Sequence, residues 1–166
     1  NELDSRAMEQ LEADARSRKF SGLISMVEFS HLGPALQGIL EKHEIRHVNF
    51  DFAADTNTVV PDFHAMGTMG ARYLYDRGVR KLGIIGTHLD DPNSNWREDF
   101  CGFDSVVAAH PDLHASDTWR YQAGSSITRG REAFRQIWAA PEKPEGLLIS
   151  DEVTFIGVVM GMMECG

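Results

Sequence analysis

The sequence predicts an α/β fold in which parallel strands form sheets with helices on both faces. Short apolar runs recur along the chain, and they alternate with longer segments whose apolar residues repeat at helical spacing. Since a parallel connection crosses over through a helix, this alternation is typical of parallel sheets that helices cover on both sides. The composition, with 42% hydrophobic and 25% charged residues in a chain of 166, is that of a globular protein.

The predicted strands are short apolar runs bounded by glycine or polar residues. They are residues 22–27, 45–50, 58–60, 81–85, 118–121 and 146–149. The first run, Gly22–Val27, is apolar at almost every position, which predicts a strand that is buried on both faces. The second ends at Asp51, and residues 51–62 that follow have no apolar period. This polar stretch predicts a crossing between two lobes.

The predicted helices carry apolar residues at steps of three and four. They are residues 3–18, 33–43, 63–77, 96–110, 126–138 and 152–163. Pro34 favours a helix start, and Gly78 is a predicted C-cap. Ser125 or Ser126 can cap the fifth helix. The predicted inward residues of the second to sixth helices are Leu36, Ile39, Leu40, Met66, Met69, Gly70, Tyr73, Leu74, Trp96, Phe100, Phe103, Val107, His110, Ile127, Gly130, Phe134, Ile137, Trp138, Val153, Ile156, Val159 and Met163.

Charge and motif content exclude several classes of function for this segment. With 16 basic and 25 acidic residues the net charge is −9, so the chain repels phosphate backbones and is by itself a poor nucleic-acid binder. No window approaches the ~18 consecutive apolar residues of a membrane span. The motifs GxGxxG, GxxxxGK[ST] and GxSxG are absent, and neither Cys101 nor Cys165 lies in a CxxC pair. We therefore expect no metal, no cofactor and no enzymatic activity, although an α/β enzyme with an unrecognised site stays an alternative.

Polar residues follow several predicted strands, and ligands of open parallel sheets bind beyond the carboxyl ends of strands. The second strand ends at Asp51, and the last ends at Ser150 and Asp151. Asp151 stands directly before a helix, so it is a candidate N-cap as well as a candidate ligand contact. No helix follows Asp51 immediately, which favours a binding role. The other strand-end candidates are Glu28, Ser30, Thr87, His88, Tyr121 and Gln122.

Motifs spread over nearly all of residues 3–166 resemble the effector-binding core of the LacI/GalR transcription regulators. The run Val79–Gly86 (VRKLGIIG), after a helix containing Tyr73 and Leu74, is the fullest of them. The others are Phe20–Ile24, His47–Asp51, Val59–Asp62, Asn93–Arg97 with Gly102 and Phe103, and Gly146–Asp151 followed by a helix with Gly157.

The resemblance implies a truncated, two-lobed core of the periplasmic-binding-protein-like type I. Residues 1–62 would form part of its N-terminal lobe and residues 63–166 part of its C-terminal lobe. Because the chain does not begin with Met and stops directly after an apolar run, we expect it to be a piece of a longer protein. The family's DNA-binding headpiece is absent from the chain.

The resemblance also implies a ligand site between the lobes. The family's cleft residues correspond to Asp51, Arg97 and Ser150, and Trp96 and Asp151 complete the predicted effector-binding set. The family usually has Arg three residues before the Gly of its "R…GF" segment, whereas this chain has Asp99 there. Either Arg97 reaches the cleft by a different loop path, or the sugar-gripping Arg is missing.

The resemblance predicts an effector sensor of a transcriptional repressor. A small, sugar-like effector would bind between the lobes, operator DNA would bind through the headpiece, and the protein would be a cytoplasmic homodimer with no membrane contact. The alternative is an extracellular solute-binding protein of a sugar transporter, which shares the fold.

Overall fold

The computed structural model of the chain describes residues 5–25, 33–50, 57–86 and 97–165. The chain divides into two compact units, Asn1–Pro61 and Asp62–Gly166, called unit 1 and unit 2 below. Within the described ranges, each unit contains a three-stranded parallel sheet. The assignment of residues 1–62 and 63–166 to the two lobes of a type I core stays a prediction.

Unit 1 contains the helices and strands that the sequence predicts for it. They are α1 (Ser5–Arg16), β1 (Gly22–Ser25), α2 (Gly33–Lys42), β2 (Arg46–Phe50) and β3 (Thr58–Val59). The strands pair in the order β1-β2-β3. Ala15 of α1 is buried, as are the predicted inward residues Leu36, Ile39 and Leu40 of α2. The spacing of apolar residues therefore identified the inward face of α2.

The prediction that β1 is buried on both faces is wrong. Ile24 is 73% exposed, and Gly22 is exposed as well, whereas Leu23 is half-buried and Ser25 is buried. Successive side chains of a strand point to opposite faces, so one face of β1 is covered and the other is open within the described residues. An apolar run alone does not distinguish a strand covered twice from a strand covered once.

Unit 2 also follows the predicted order. Its elements are α3 (Phe63–Asp76), β4 (Leu82–Gly86), α4 (Glu98–Ala109), β5 (Arg120–Gln122), α5 (Ile127–Ala139), β6 (Gly146–Ile149) and α6 (Glu152–Cys165). The strands pair in the order β5-β4-β6. A 3-10 turn, Asp117–Trp119, precedes β5, so this strand begins later than the sequence predicts. Gly78, the predicted C-cap of α3, has a φ of 88° immediately after the Arg77 cap.

The central strand β4 is covered on both faces, which confirms the predicted fold class. All five residues of β4 are buried. Leu82 and Ile84 pack against α3 and α4, whereas Ile85 packs against α5 and α6. Because neighbouring residues of a strand face opposite sides, this division shows one helix pair on each face.

Helices α3 and α6 bury mostly small residues and expose most of their large ones, so their predicted inward faces are partly wrong. In α3, Gly70 and Leu74 are partly buried as predicted, but Met66, Met69 and Tyr73 are exposed. The buried residues of α3 are Phe63, Gly67 and Ala71, and those of α6 are Thr154, Gly157, Val158 and Gly161. Of the predicted inward residues of α5 and α6, Ile127, Trp138, Ile156 and Met163 are exposed.

Glycines at the helix crossings explain these faces. A Cβ on Gly102 of α4 would lie 2.1 Å from the carbonyl oxygen of His64 in α3. A Cβ on Gly157 of α6 would lie 2.1 Å from the carbonyl oxygen of Ile127 in α5. Each helix pair thus packs backbone to backbone at a glycine, and larger side chains are excluded from the crossing.

Candidate functional site

The carboxyl ends of β4, β5 and β6 lie side by side at one edge of the unit 2 sheet. The Ser150 amide donates to the Ile85 carbonyl oxygen at 3.1 Å. The Ala123 amide donates to the Gly86 carbonyl oxygen at 2.8 Å. The residues after β5 and β6 therefore flank the end of β4, where ligands of parallel sheets bind. This edge is the candidate functional site.

The first turn of α4 packs on this edge and brings Asp99 to it. A Cβ on Gly86 would lie 2.2 Å from Cε2 of Phe100, so the glycine at the end of β4 makes room for that ring. On the other side, a Cβ on Gly67 of α3 would lie 1.9 Å from the Asp99 carbonyl oxygen. The backbone of Asp99 is thereby held between the sheet edge and α3.

Asp99 is buried, and one of its two carboxylate oxygens has no partner within the described ranges. Its side chain belongs to a residue that is only 1% exposed. Oδ1 accepts a 2.6 Å hydrogen bond from the Phe100 amide, whereas Oδ2 has no hydrogen-bond partner among the described residues. A buried charge without full hydrogen bonding is costly, and such groups in native structures call for an explanation.

Burial dominates the electrostatics of Asp99. It raises the pKa of the carboxyl above its ordinary value, because the charged form loses water. The nearby Ser150 hydroxyl and the Phe100 amide lower the pKa, but by less. The Ser150 hydroxyl thus interacts with the carboxyl, although no hydrogen bond of standard geometry reaches Ser150 Oγ or Asp99 Oδ2 within the described chain. Two orphaned polar atoms from different elements thus meet at the sheet edge.

Asp151, a predicted ligand contact, has both carboxylate oxygens engaged in the protein. Oδ1 accepts from the Thr154 amide at 2.7 Å, and Oδ2 accepts from the Ser125 hydroxyl at 3.0 Å. The first bond is that of an N-cap at the start of α6. The second ties the turn after β5 to the turn after β6, and Ser125 has a φ of 49° there. The geometry favours the N-cap interpretation, and Ser126 rather than Ser125 caps α5.

The structure does not place the remaining predicted site residues at this edge of the sheet. Arg97 is exposed and stands just before α4, where its side chain makes no capping hydrogen bond. Asp51 and Trp96 lie outside the described residues, as do Glu28, Ser30, Thr87 and His88. The structure therefore brings Ser150 and Asp151 together at one edge and leaves the roles of Asp51, Trp96 and Arg97 as predictions.

Unit 1 has a smaller polar contact that the sequence analysis missed. His47 Nε2 and Ser25 Oγ lie 3.3 Å apart on the neighbouring strands β2 and β1. Burial lowers the pKa of His47, which favours its neutral ring. The alternation of His47 with apolar neighbours in β2 was the available signal, but it does not specify a partner.

Two other kinds of site find no support in the parts of the chain that the structure describes. No described group of three or more His, Cys, Asp or Glu side chains could hold a metal ion. No described helix is long and apolar enough to cross a membrane.

A cavity of about 490 Å³ lies beside β6 and α6, and its walls are largely apolar, including Phe134, Trp138, Leu147 and Phe155. It lacks the convergent polar groups that orient a polar ligand.

The chain is similar in sequence to bacterial repressors. It is 26% identical over 153 residues to the HTH-type transcriptional repressor PurR of Salmonella paratyphi B, and equally to that of Salmonella newport. The match covers 90% of this chain and 44% of the repressor. The resemblance to the LacI/GalR effector-binding core is confirmed. The chain spans less than half the length of these curated relatives, and no family model matches it.

Solved structures of LacI-family regulators have the same fold. A regulatory protein of the LacI family from Chloroflexus aggregans superposes with a TM-score of 0.71 at 17% identity, covering 99% of this chain and 59% of that one. The transcription regulator CcpA of Lactococcus lactis gives 0.68 at 15% identity, with 98% and 59% covered. A periplasmic solute-binding protein of an ABC transporter from Actinobacillus succinogenes, solved with bound D-allose, gives 0.71 at 20% identity, with 96% and 60% covered.

Proposed function

We propose that this LacI-type chain is the effector-sensing part of a transcriptional repressor and has no enzymatic activity. The observation that carries this proposal is the match to repressors over 90% of the chain. The sheet edge with Asp99 and Ser150 supports it, because unpartnered polar atoms suit a ligand that forms hydrogen bonds. The effector is a small polar metabolite, sugar-like in having several hydroxyl groups.

The proposed mechanism is a coupling between effector and DNA. The effector binds between the two lobes and favours one orientation of them, which sets the spacing of DNA-binding headpieces in a cytoplasmic dimer. Couplings of this kind are typically ~1–3 kcal/mol. Operator DNA contacts a part of the protein outside this chain, since the chain itself carries a charge of −9.

We expect the full-length product of the gene to bind one class of polar metabolite and to change its DNA affinity in response. Calorimetry against sugars, nucleobases and nucleosides tests the first part, and fluorescence anisotropy with genomic DNA fragments tests the second. Asp51→Ala should abolish effector binding and leave the thermal unfolding of the protein unchanged. If no compound of the panel binds, the proposal is contradicted. If Asp51→Ala still binds the effector, Asp51 has a structural role.

A solute-binding protein of a transporter is the second candidate. The D-allose-bound solute-binding protein gives the same TM-score as the Chloroflexus aggregans regulator, so the fold does not separate the two functions. The anisotropy experiment separates them. A full-length protein that binds a sugar but has no affinity for any DNA fragment favours the solute-binding function.

We further propose that α3 contributes to a homodimer interface. Met66, Met69 and Tyr73 are exposed on this helix at steps of three and four, and Met69 is 71% exposed. Three large apolar side chains on one helix face form the kind of patch that marks an interaction site.

Met69→Glu is expected to weaken dimerisation of the full-length protein, because the carboxylate would be desolvated at the interface. Sedimentation velocity over a range of concentrations measures the shift towards monomer. Met163→Glu on α6 is the matched control, since Met163 is 80% exposed in another helix. If Met163→Glu dissociates the dimer and Met69→Glu does not, α6 forms the interface.

A further inference from the structure

We propose that Asp99 and Ser150 form a subsite that accepts a hydrogen-bond donor of the effector, an amino or hydroxyl group, and that discriminates against a carboxylate or phosphate at the same position. This inference rests on the proposed function, because it concerns what the sensing site selects. It goes beyond it by specifying the chemical class of one ligand group.

Two unpartnered atoms carry the inference. Asp99 Oδ2 and Ser150 Oγ are both buried and both lack hydrogen-bond partners among the described residues. A carboxylate oxygen only accepts hydrogen bonds, so a ligand group that binds Asp99 Oδ2 must be a hydrogen-bond donor. The Ser150 hydroxyl both donates and accepts, so it can form a second hydrogen bond to a ligand amino or hydroxyl group that already binds the carboxylate.

No cation faces the Asp99 carboxylate in the described part of the chain, and this sets the selectivity of the subsite. Asp99 has no ion-pair partner within the described part of the chain, and no cation contributes to its pKa. A ligand ammonium or hydroxyl would supply the missing donor in a desolvated place, where charge-assisted hydrogen bonds are strong. A ligand carboxylate or phosphate would put a like charge beside a buried carboxylate, which costs binding free energy.

The position of the pair favours ligand contact over a purely structural role. Ser150 directly follows β6 at the sheet edge where ligands of parallel sheets bind. Asp99 is fixed there by Gly67 on one side and by its neighbour Phe100 against Gly86 on the other. An acid in the first turn of a helix usually interacts with the helix dipole while remaining solvated. Asp99 is instead 1% exposed, and its Oδ2 has no hydrogen-bond partner among the residues that the structure describes.

The test compares matched ligands on the full-length protein. Calorimetry is run with a library of pyranoses, pentoses and nucleosides, each in an amino, a hydroxyl and a carboxylate form at the same ring position. We expect binders to prefer the amino or hydroxyl form over the carboxylate by about tenfold or more, as hydrogen bonds to charged groups allow. Asp99→Asn should erase most of that preference, because the amide both donates and accepts.

Two further variants test whether the preference comes from Asp99 and Ser150 or from the overall negative charge of the protein. Asp104→Asn removes an acid from the same helix, where Asp104 pairs with Arg120 at the surface, and should leave the preference unchanged. Ser150→Ala should weaken binding of every form and keep the preference, since Asp99 remains. If Asp99→Asn fails to fold, unchanged affinity for every form in Ser150→Ala overturns the subsite, because Ser150 is then not in contact with the ligand.

Three outcomes are decisive. A preference for donors that disappears in Asp99→Asn and persists in Asp104→Asn supports the subsite. Binding without that preference, or with a preference that Asp99→Asn leaves intact, overturns the subsite while the proposed sensing function stands. Absence of binding across the whole library overturns the sensing function itself.

Discussion

Gly102→Ala is expected to destabilise unit 2 by about 1–3 kcal/mol, the usual cost of overpacking, although alanine is the better helix former. The new methyl carbon would lie 2.1 Å from the carbonyl oxygen of His64 and 2.8 Å from the amide nitrogen of Thr68. Both neighbours are backbone atoms of α3, so neither can rotate away. The two helices would have to separate, and α3 and α4 would lose part of their packing on β4.

A matched glycine elsewhere isolates this steric effect. Gly38 lies within α2, and a Cβ there would meet nothing within 4 Å. Gly38→Ala should therefore raise the free energy of unfolding by about 0.5–1 kcal/mol through helix propensity alone. Urea unfolding followed by far-UV circular dichroism measures both variants, and tryptophan fluorescence reports on unit 2, because Trp96, Trp119 and Trp138 all belong to it. A neutral or stabilising Gly102→Ala would show that the crossing is looser than described.

The order of elements was predictable because it depends on patterns that the backbone enforces. Parallel strands covered by helices need apolar runs such as that of β4, and each run alternates with an amphipathic segment. The inward face of α2 was predictable for the same reason, since Leu36, Ile39 and Leu40 are its large apolar residues and all are buried.

The inward faces of α3 and α6 were not predictable from apolar spacing. Both helices are apolar on more than one side, so periodicity alone gives no unique face. Close crossings at Gly102 and Gly157 decide the orientation, and they depend on contacts between residues distant in sequence. Glycine inside an apolar helix was the available signal, because it costs helix stability unless packing requires it.

The candidate site was predictable in its place but not in its chemistry. Strand ends pointed to Ser150 and Asp151, and both lie at the edge of the unit 2 sheet. Which of the two contacts a ligand was open, because a sequence does not show which carboxylate oxygens already accept hydrogen bonds within the protein. Asp99 was noticed as an acid in a position where the family has Arg, but nothing local predicted that a residue in the first turn of α4 would be buried.

Asp99→Asn is expected to stabilise the ligand-free chain at neutral pH by about 1–3 kcal/mol, the usual cost of a buried polar group left unsatisfied. The amide keeps the shape of the side chain and can still accept from the Phe100 amide. Its nitrogen can donate to Ser150 Oγ, which lacks a partner among the described residues. The substitution thereby removes a buried charge while the contact with Ser150 is kept.

The gain should depend on pH in a defined direction. Burial raises the folded-state pKa of Asp99 above its ordinary value of 3.8. Below pH 3.8 the carboxyl is mostly protonated in the folded and the unfolded state, so no buried charge lowers the free energy of unfolding. As pH rises, the unfolded chain loses its proton first, so wild-type stability falls until the folded-state pKa is passed. Urea unfolding at pH 3.5 and pH 7 should therefore show a small gain from Asp99→Asn at the lower pH and the full gain at the higher.

Thr154→Val is the control that separates titration from orphaned hydrogen bonding. Thr154 is fully buried, and its Oγ1 has no hydrogen-bond partner within the described chain, but a hydroxyl does not titrate in this range. Removing it should change stability equally at both pH values. If Asp99→Asn gives the same change at both pH values, as Thr154→Val should, the folded-state pKa of Asp99 is not raised above its ordinary value, and a buried charge does not explain the gain. If it instead gains stability only at pH 7 and loses the preference for donors, the same buried charge both destabilises the empty site and selects its ligand.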